Sequence, residues 1–126
     1  FAAGCDVHLV GSPRLAGFAE AELAGEAVGD DAIKAETAAC FVDVDARRTD
    51  TIVLACTHYP LLLERFRAVA PWTVDWLDPA PAIARRVAEL LRERPLHAAL
   101  SAPVIEFTSK RTASPTLRRA LNSFGF

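Results

Sequence analysis

Cys56-Thr57-His58-Tyr59 places a thiol, a hydroxyl, an imidazole and a phenol in four consecutive positions. The preceding run, Thr51-Ile52-Val53-Leu54-Ala55-Cys56, is β-branched and continuously apolar, which reads as a strand buried on both faces, as in parallel sheets. Pro60 follows and opens a helix carrying Leu61, Leu62, Phe66 and Val69. In open parallel sheets, ligands bind beyond the carboxyl ends of strands, where loops and helix N-termini meet. A thiol at that point sits near the positive end of a helix dipole. The dipole favours thiolate, and an ordinary cysteine pKa of about 8.5 needs only a modest push for the group to serve as a base. His58 can polarise the thiol or relay a proton near neutral pH. Thr57 and the free N–H groups of the turn can hold a substrate carboxylate. An isolated Cys-x-His is better described as an inert buried thiol and a backbone-satisfied histidine; the strand-end position is what brings the chemical reading level with it.

The elements that must position this cluster alternate. Asp6–Val10 reads as a short strand ending at Gly11. Ser12 offers an N-cap oxygen, Pro13 the first helical position, and Leu15, Phe18, Ala19 and Leu23 a helical stripe stopped at Gly25. A second helix is predicted from about Asp30 to Val44, with Ile33, Ala38, Phe41 and Val42 inward and Cys40 as a buried structural thiol. A polar turn, 45–50, leads into the Thr51–Cys56 strand. Trp72–Leu77 is a further strand candidate, with its tryptophans as packing residues. A long helix from Pro81 to about Arg94 bears Ile83, Val87, Leu90 and Leu91. Val104–Phe107 reads as a strand, and Ser114-Pro115 as the capped start of a last helix. Two further polar groups fall at strand ends, Asp78 and Thr108-Ser109. The fold class is therefore α/β, a mainly parallel sheet flanked by helices.

Composition excludes several classes. The 126 residues suit one domain of ordinary size, and 52% hydrophobic content excludes intrinsic disorder. Fourteen Lys+Arg against 16 Asp+Glu, with pI near 5.9, argue against a general nucleic-acid binder, so Arg85-Arg86 and Arg118-Arg119 read as solvated helix faces. No apolar run approaches the roughly 18 residues of a membrane span. Three cysteines without a C-x-x-C pair argue against a disulfide framework or structural zinc, and free thiols fit a reducing cytoplasm. His8 and His97 have no partner in sequence and read as structural or exposed. The sequence holds no methionine and begins Phe1-Ala2-Ala3, as expected of a chain that has lost a leader or is a piece of a longer one.

The segment Thr49–Leu62, with Cys56-Thr57-His58-Tyr59-Pro60 at its centre, closely resembles the second signature of the bacterial glutamate racemases, of the cofactor-independent aspartate/glutamate racemase superfamily. Leu9-Val10-Gly11-Ser12-Pro13 through Glu20 resembles that family's segment carrying a functional glutamate. Asp78-Pro79-Ala80-Pro81-Ala82-Ile83-Ala84 resembles the aspartate and helix after the signature, and Phe107-Thr108-Ser109 the late strand ending in Thr-Ser.

The resemblance implies proton removal and return at the α-carbon of glutamate, with no metal or pyridoxal phosphate, by two cysteines on opposite faces. Inverting a carbon needs a base and an acid on opposite sides, and a thiol is tunable enough to be either. Cys56 matches the second of the pair, assisted by His58; Thr57 matches a substrate-binding residue; Glu20 matches the glutamate that orients the histidine, with Glu22 near enough to be that residue instead. The product would be D-glutamate for peptidoglycan precursors. Ala55, Ser12 and Lys110 stand where the family commonly has glycine, cysteine and a smaller or acidic residue. The Asp-Ser-Gly-x-Gly-Gly and Cys-Asn-Thr segments of the family do not occur, and neither Cys5 nor Cys40 can replace the first catalytic cysteine. The chain is thus expected to be one half of a pseudo-symmetric two-domain racemase, with 1–77 most of the second domain and 78–126 a segment returning to the mostly absent first. Its partners would be glutamate and the missing N-terminal half. Alternatives are a non-catalytic racemase-fold module that completes its sheet as a homodimer, or a racemase of aspartate or hydantoin type.

Overall fold

In the computed structural model, residues 3–92, 104–108, 112–123 and 125 are described. The first helix, α1 (Leu15–Ala24), begins two residues beyond the expected Pro13 start, yet Ser12 still serves it. Its Oγ accepts the backbone N–H groups of Arg14 (3.3 Å) and Leu15 (3.1 Å), donors that a helix start leaves unpaired. The Ser12 hydroxyl in turn donates to Glu36 of α2 (Asp30–Thr37). Gly25 ends α1 at φ 88°, and a Cβ there would also come within 3.2 Å of Thr116.

The second helix is shorter than its apolar pattern suggested. It ends at Thr37, runs through a 3₁₀ turn (Ala38–Cys40) and gives way to an antiparallel hairpin of β1 (Asp43–Val44) and β2 (Arg47–Arg48). Thr49 draws the chain out of the helix: its hydroxyl oxygen accepts the Val42 N–H (3.0 Å), and its proton goes to the Cys40 carbonyl (2.8 Å). Asp45 and Ala46 then turn at φ 52° and 61°, the left-handed pair that matches the twist of a hairpin. Alanine is strained there. Ala46→Gly is therefore expected to raise the melting temperature, by relief of about 0.5–1 kcal/mol; a lower melting temperature would contradict the assignment.

The centre of the fold is a parallel β-α-β unit, β3 (Thr51–Val53), α3 (Leu63–Val69) and β4 (Asp75–Leu77), with Ile52 opposite Trp76. The α/β class with a parallel pair is as expected; the burial of its strands is not. Ile52, Leu54, Val74 and Trp76 turn toward the helices, whereas on the other face Val53 and Leu77 are 54% and 49% exposed. Among the described residues only one side of this sheet is covered, so the run Thr51–Cys56 is not buried on both faces here. The Trp72–Leu77 strand likewise contracts to its last three residues, and Trp72 instead donates its indole N–H to the Thr49 carbonyl (2.9 Å).

Pro60 opens a 3₁₀ turn (Tyr59–Leu62) that leads into α3, and Leu61 lies on its outer side. Leu62 and Phe66 join Leu15, Ala19, Ile33 and Leu54 in the core. Phe66 stacks on Trp76 (centroids 5.5 Å apart, 22° between planes) and meets Tyr59 edge-on at 6.4 Å. The core thus reaches the residue directly after His58.

Helix α4 (Ala80–Leu91) leaves Ile83, Val87, Leu90 and Leu91 exposed, and its expected end near Arg94 lies outside the described residues, as do His97, Ser109 and Lys110. Asp6–Val10 and Val104–Phe107 are not strands. A strand exists through hydrogen bonds to a neighbour, and among the described residues neither segment has one; Leu9 and Val104 are 96% and 78% exposed. Helix α5 (Pro115–Ser123) starts as expected, with the Leu117 N–H bonded to the Ser114 hydroxyl (3.1 Å), and packs against α1.

Candidate active site

Cys56 stands three residues beyond β3, in the bend that leads into the 3₁₀ turn. The turn is tied by the Tyr59 N–H to the Cys56 carbonyl (3.2 Å) and the Leu61 N–H to the His58 carbonyl (3.1 Å). This tight geometry brings the His58 ring back over the thiol, with Nδ1 3.7 Å from Sγ. The other ring nitrogen, Nε2, lies 2.8 Å from Glu20 Oε1 of α1, 38 residues earlier in the chain. Sulfur, imidazole and carboxylate form one continuous line.

The charges in that line reinforce one another. Backbone N–H donation from His58, then its imidazole, holds the Cys56 thiol below its ordinary value, with the Tyr59 N–H adding to the effect. The thiol and then the Glu20 carboxylate lift His58 above 6.5. The two groups therefore approach each other in pKa from opposite sides, which favours sharing or exchanging a proton between them. For His58 the elevated folded-state pKa means that its contacts with Cys56 and Glu20 stabilise the fold below the unfolded pKa, and that this contribution is lost as pH rises through the folded one. Cys56 behaves in the opposite sense: its contribution is present at high pH and is lost as pH falls through its depressed pKa. The side chains of His58 and Glu20 are 36% and 65% exposed, so the site is open to solvent.

Tyr59 is held above 10.0 by burial, and secondarily by Cys56, Cys40 and Glu36. Thr57 is exposed between Cys56 and His58, with no side-chain bond to either among the described contacts. Cys40 differs in kind from Cys56: half-buried at the end of the Ala38–Cys40 turn, its thiol is pushed up by desolvation. Alkylation by iodoacetamide across pH, followed residue by residue in peptide maps, should show Cys56 reacting with a midpoint below an ordinary thiol and Cys40 above one. His58→Asn should move the Cys56 midpoint upward. Equal midpoints for Cys40 and Cys56 would refute the arrangement.

Of the two carboxylates the sequence left open, the structure brings Glu20 to His58 and turns Glu22 elsewhere. Glu22 pairs with Arg65 of α3, which also holds Asp30 Oδ1 through Nε (3.0 Å) and an amino group (2.6 Å), and the Val28 carbonyl (2.7 Å). No sequence pattern marks Arg65, whose partners lie 35 to 43 residues away. Among the described residues no group of three or more His, Cys, Asp and Glu side chains forms a metal-ligand set, and no helix is long and apolar enough to cross a membrane.

No protein-family model matches the chain. It is 62% identical to a glutamate racemase of Sinorhizobium medicae over 91 residues, 72% of this chain and 34% of that protein. It is 50% identical to one of Rhizobium meliloti over 129 aligned residues, 99% of this chain and 45% of that protein, and 45% identical to one of Brucella abortus over a similar span. The chain thus spans about half the length, or less, of the curated relatives it matches. Its fold superposes with a TM-score of 0.83 on a crystal structure of Escherichia coli glutamate racemase in complex with L-glutamate and the activator UDP-MurNAc-Ala, at 34% identity, over 100% of this chain and 47% of that one.

Proposed function

We propose that this homologue of the glutamate racemases works as the C-terminal half of such an enzyme, interconverting L- and D-glutamate by proton transfer between two thiols. The observation that carries the reading is the line Cys56–His58–Glu20, which holds a depressed thiol against a relay that can take or return a proton. As base, the Cys56 thiolate removes the α-proton, forming S–H and leaving the electron pair on the α-carbon, delocalised into the substrate carboxylate. A second thiol on the opposite face delivers its proton to that carbon and becomes thiolate, and the reverse direction exchanges the roles. His58 favours thiolate at Cys56, Glu20 holds the imidazole ring, and Thr57 with the N–H groups of the turn receives the substrate carboxylate. No cofactor enters these steps.

In this reading residues 1–77 are most of one α/β domain and 78–126 lead back toward the other, with α5 resting on α1 and the remaining half supplying the opposing cysteine. The uncovered sheet face at Val53 and Leu77 and the exposed stripe of α4 support it, since both are surfaces that a further domain would cover. The D-glutamate formed would serve cytoplasmic synthesis of peptidoglycan precursors and, through it, cell shape.

The test is isomerisation of both glutamate enantiomers, followed by circular dichroism. The 126-residue chain alone should give no turnover, and joining the complementary half of a close relative should restore it. Turnover by the isolated chain that is abolished by Cys56→Ala would overturn the half-enzyme reading. A reassembled, folded enzyme that racemises neither enantiomer would overturn the racemase reading itself.

A further inference from the structure

The geometry points to Arg65 as a positioning residue for the thiol site, acting through Glu22 to set the rotation of α1 and so to deliver Glu20 to His58. The inference rests on the reading of Cys56, His58 and Glu20 as the proton-transfer line, but it concerns how that line is built.

Helix α1 is seated on the core by Leu15 and Ala19, with Phe18 packed beside them, and two of its carboxylates are held by ion pairs on either side of that seam. Residues advance by about 100° along a helix. Glu20 therefore lies about 100° to one side of Ala19, and Glu22 about 60° to the other. The two carboxylates flank the buried seam, and each is held by a residue from one side of the same short segment. Glu20 meets His58, just before the 3₁₀ turn; Glu22 meets Arg65, in the helix just after it. Turning α1 far enough to withdraw Glu20 from His58 must also break Glu22 from Arg65.

Arg65 is suited to resist that turn. Its guanidinium uses all three nitrogens, binding Glu22 on α1, the Val28 carbonyl in the connection and Asp30 at the start of α2. A planar fork with several fixed donors holds an angle that a single ammonium cannot. The arginine is therefore anchored on α2 and α3 independently of α1, which makes it a fixed point for Glu22. Arg65 itself is not among the groups that shift His58; those are Cys56 and Glu20. A downward effect of Arg65 loss on the imidazole would therefore come through the placement of α1.

The readout is the titration of His58 in the 126-residue chain, followed by imidazole NMR and assigned with His58→Asn. Direct electrostatics and positioning predict opposite signs for Arg65→Met. Losing a positive charge by itself favours imidazolium and moves His58 upward, whereas releasing Glu20 moves it downward. We expect a downward displacement approaching that of Glu20→Gln, with no further displacement when Arg65→Met is added to Glu20→Gln. Arg67→Met, which removes a cation from the same helix whose partner is Glu64 within that helix, should leave His58 in place. An unchanged or upward-moved His58 in folded Arg65→Met overturns the inference.

If Arg65→Met fails to fold, Glu22→Gln decides. Its downward displacement should vanish in the Glu20→Gln background; a displacement that persists there is a direct field effect, and no displacement at all means that α1 needs no clip, so either result overturns the inference. Failure of the racemase reading is seen separately, as absent isomerisation in the reassembled enzyme while His58 still responds to Arg65.

Discussion

Replacing Cys56 by serine in the reassembled enzyme should lower glutamate isomerisation by about 10³-fold, within the 10² to 10⁴ that a positioned acid–base group contributes. Serine keeps the size of the side chain and the N–H groups of the turn. It does not keep the acidity, since a serine hydroxyl is a far weaker acid than the thiol that the His58 backbone and imidazole hold below its ordinary value. The loss should be lopsided in a way that identifies the face of the substrate that Cys56 serves. In deuterated water, the enantiomer whose α-hydrogen faces Cys56 should lose exchange. The other should still exchange with retention, because the opposing thiol can remove its proton and return deuterium to the same side. Equal residual exchange from both enantiomers would mean that Cys56 does not act at the α-carbon.

Phe66→Ala should cost about 3–5 kcal/mol, the range for truncating a buried aromatic residue. Phe66 is 2% exposed and takes part in both aromatic contacts that link α3 to β4 and to the 3₁₀ turn. A cavity at that place is hard to collapse, because Ile33 and Leu62 of the same core cluster are fully buried and already packed. Domains of this size are stable by only about 5–15 kcal/mol, so the variant should unfold at markedly lower denaturant, reported by fluorescence of Trp76 beside the vacated ring. The Cys56 thiol should lose its depressed pKa in the same transition, since Tyr59 rests on the Phe66 edge and its N–H helps hold the thiolate. A midpoint of unfolding unchanged from the parent chain would mean that the ring is not part of the core.

Much of the site was legible before any coordinates. A strand-like run ending in Cys-Thr-His-Tyr-Pro carries its own geometry, because residues two apart in a tight turn must come close. The Cys56–His58 contact is local in that sense. The helices were legible too where a cap and a stripe agreed, as at Ser12 with Leu15 and Ala19, or at Ser114-Pro115. The errors share one physical cause, namely that their outcome depended on distant partners. Asp6–Val10 and Val104–Phe107 have the alternation of strands but no ladder among the described residues. The helix drawn through to Val44 was overruled by Thr49, whose hydroxyl competes for the Cys40 and Val42 backbone. The sheet face expected to be buried is open at Val53 and Leu77, because burial on a second face needs a second layer.

By itself, then, the sequence determined an α/β chain of helices and short parallel strands, with a thiol and an imidazole at the end of one strand. Those features follow from local propensity and from spacings of two to four residues, which short-range sterics and hydrogen bonds decide. Tertiary structure alone decided which carboxylate faces His58, since Glu20 and Glu22 are equivalent in type and differ only in their angle around α1. At that angle the two carboxylates meet partners 38 and 43 residues away, Glu20 at His58 and Glu22 at Arg65. No periodicity encodes such a contact, because loop closure and packing select it only once the helices have met.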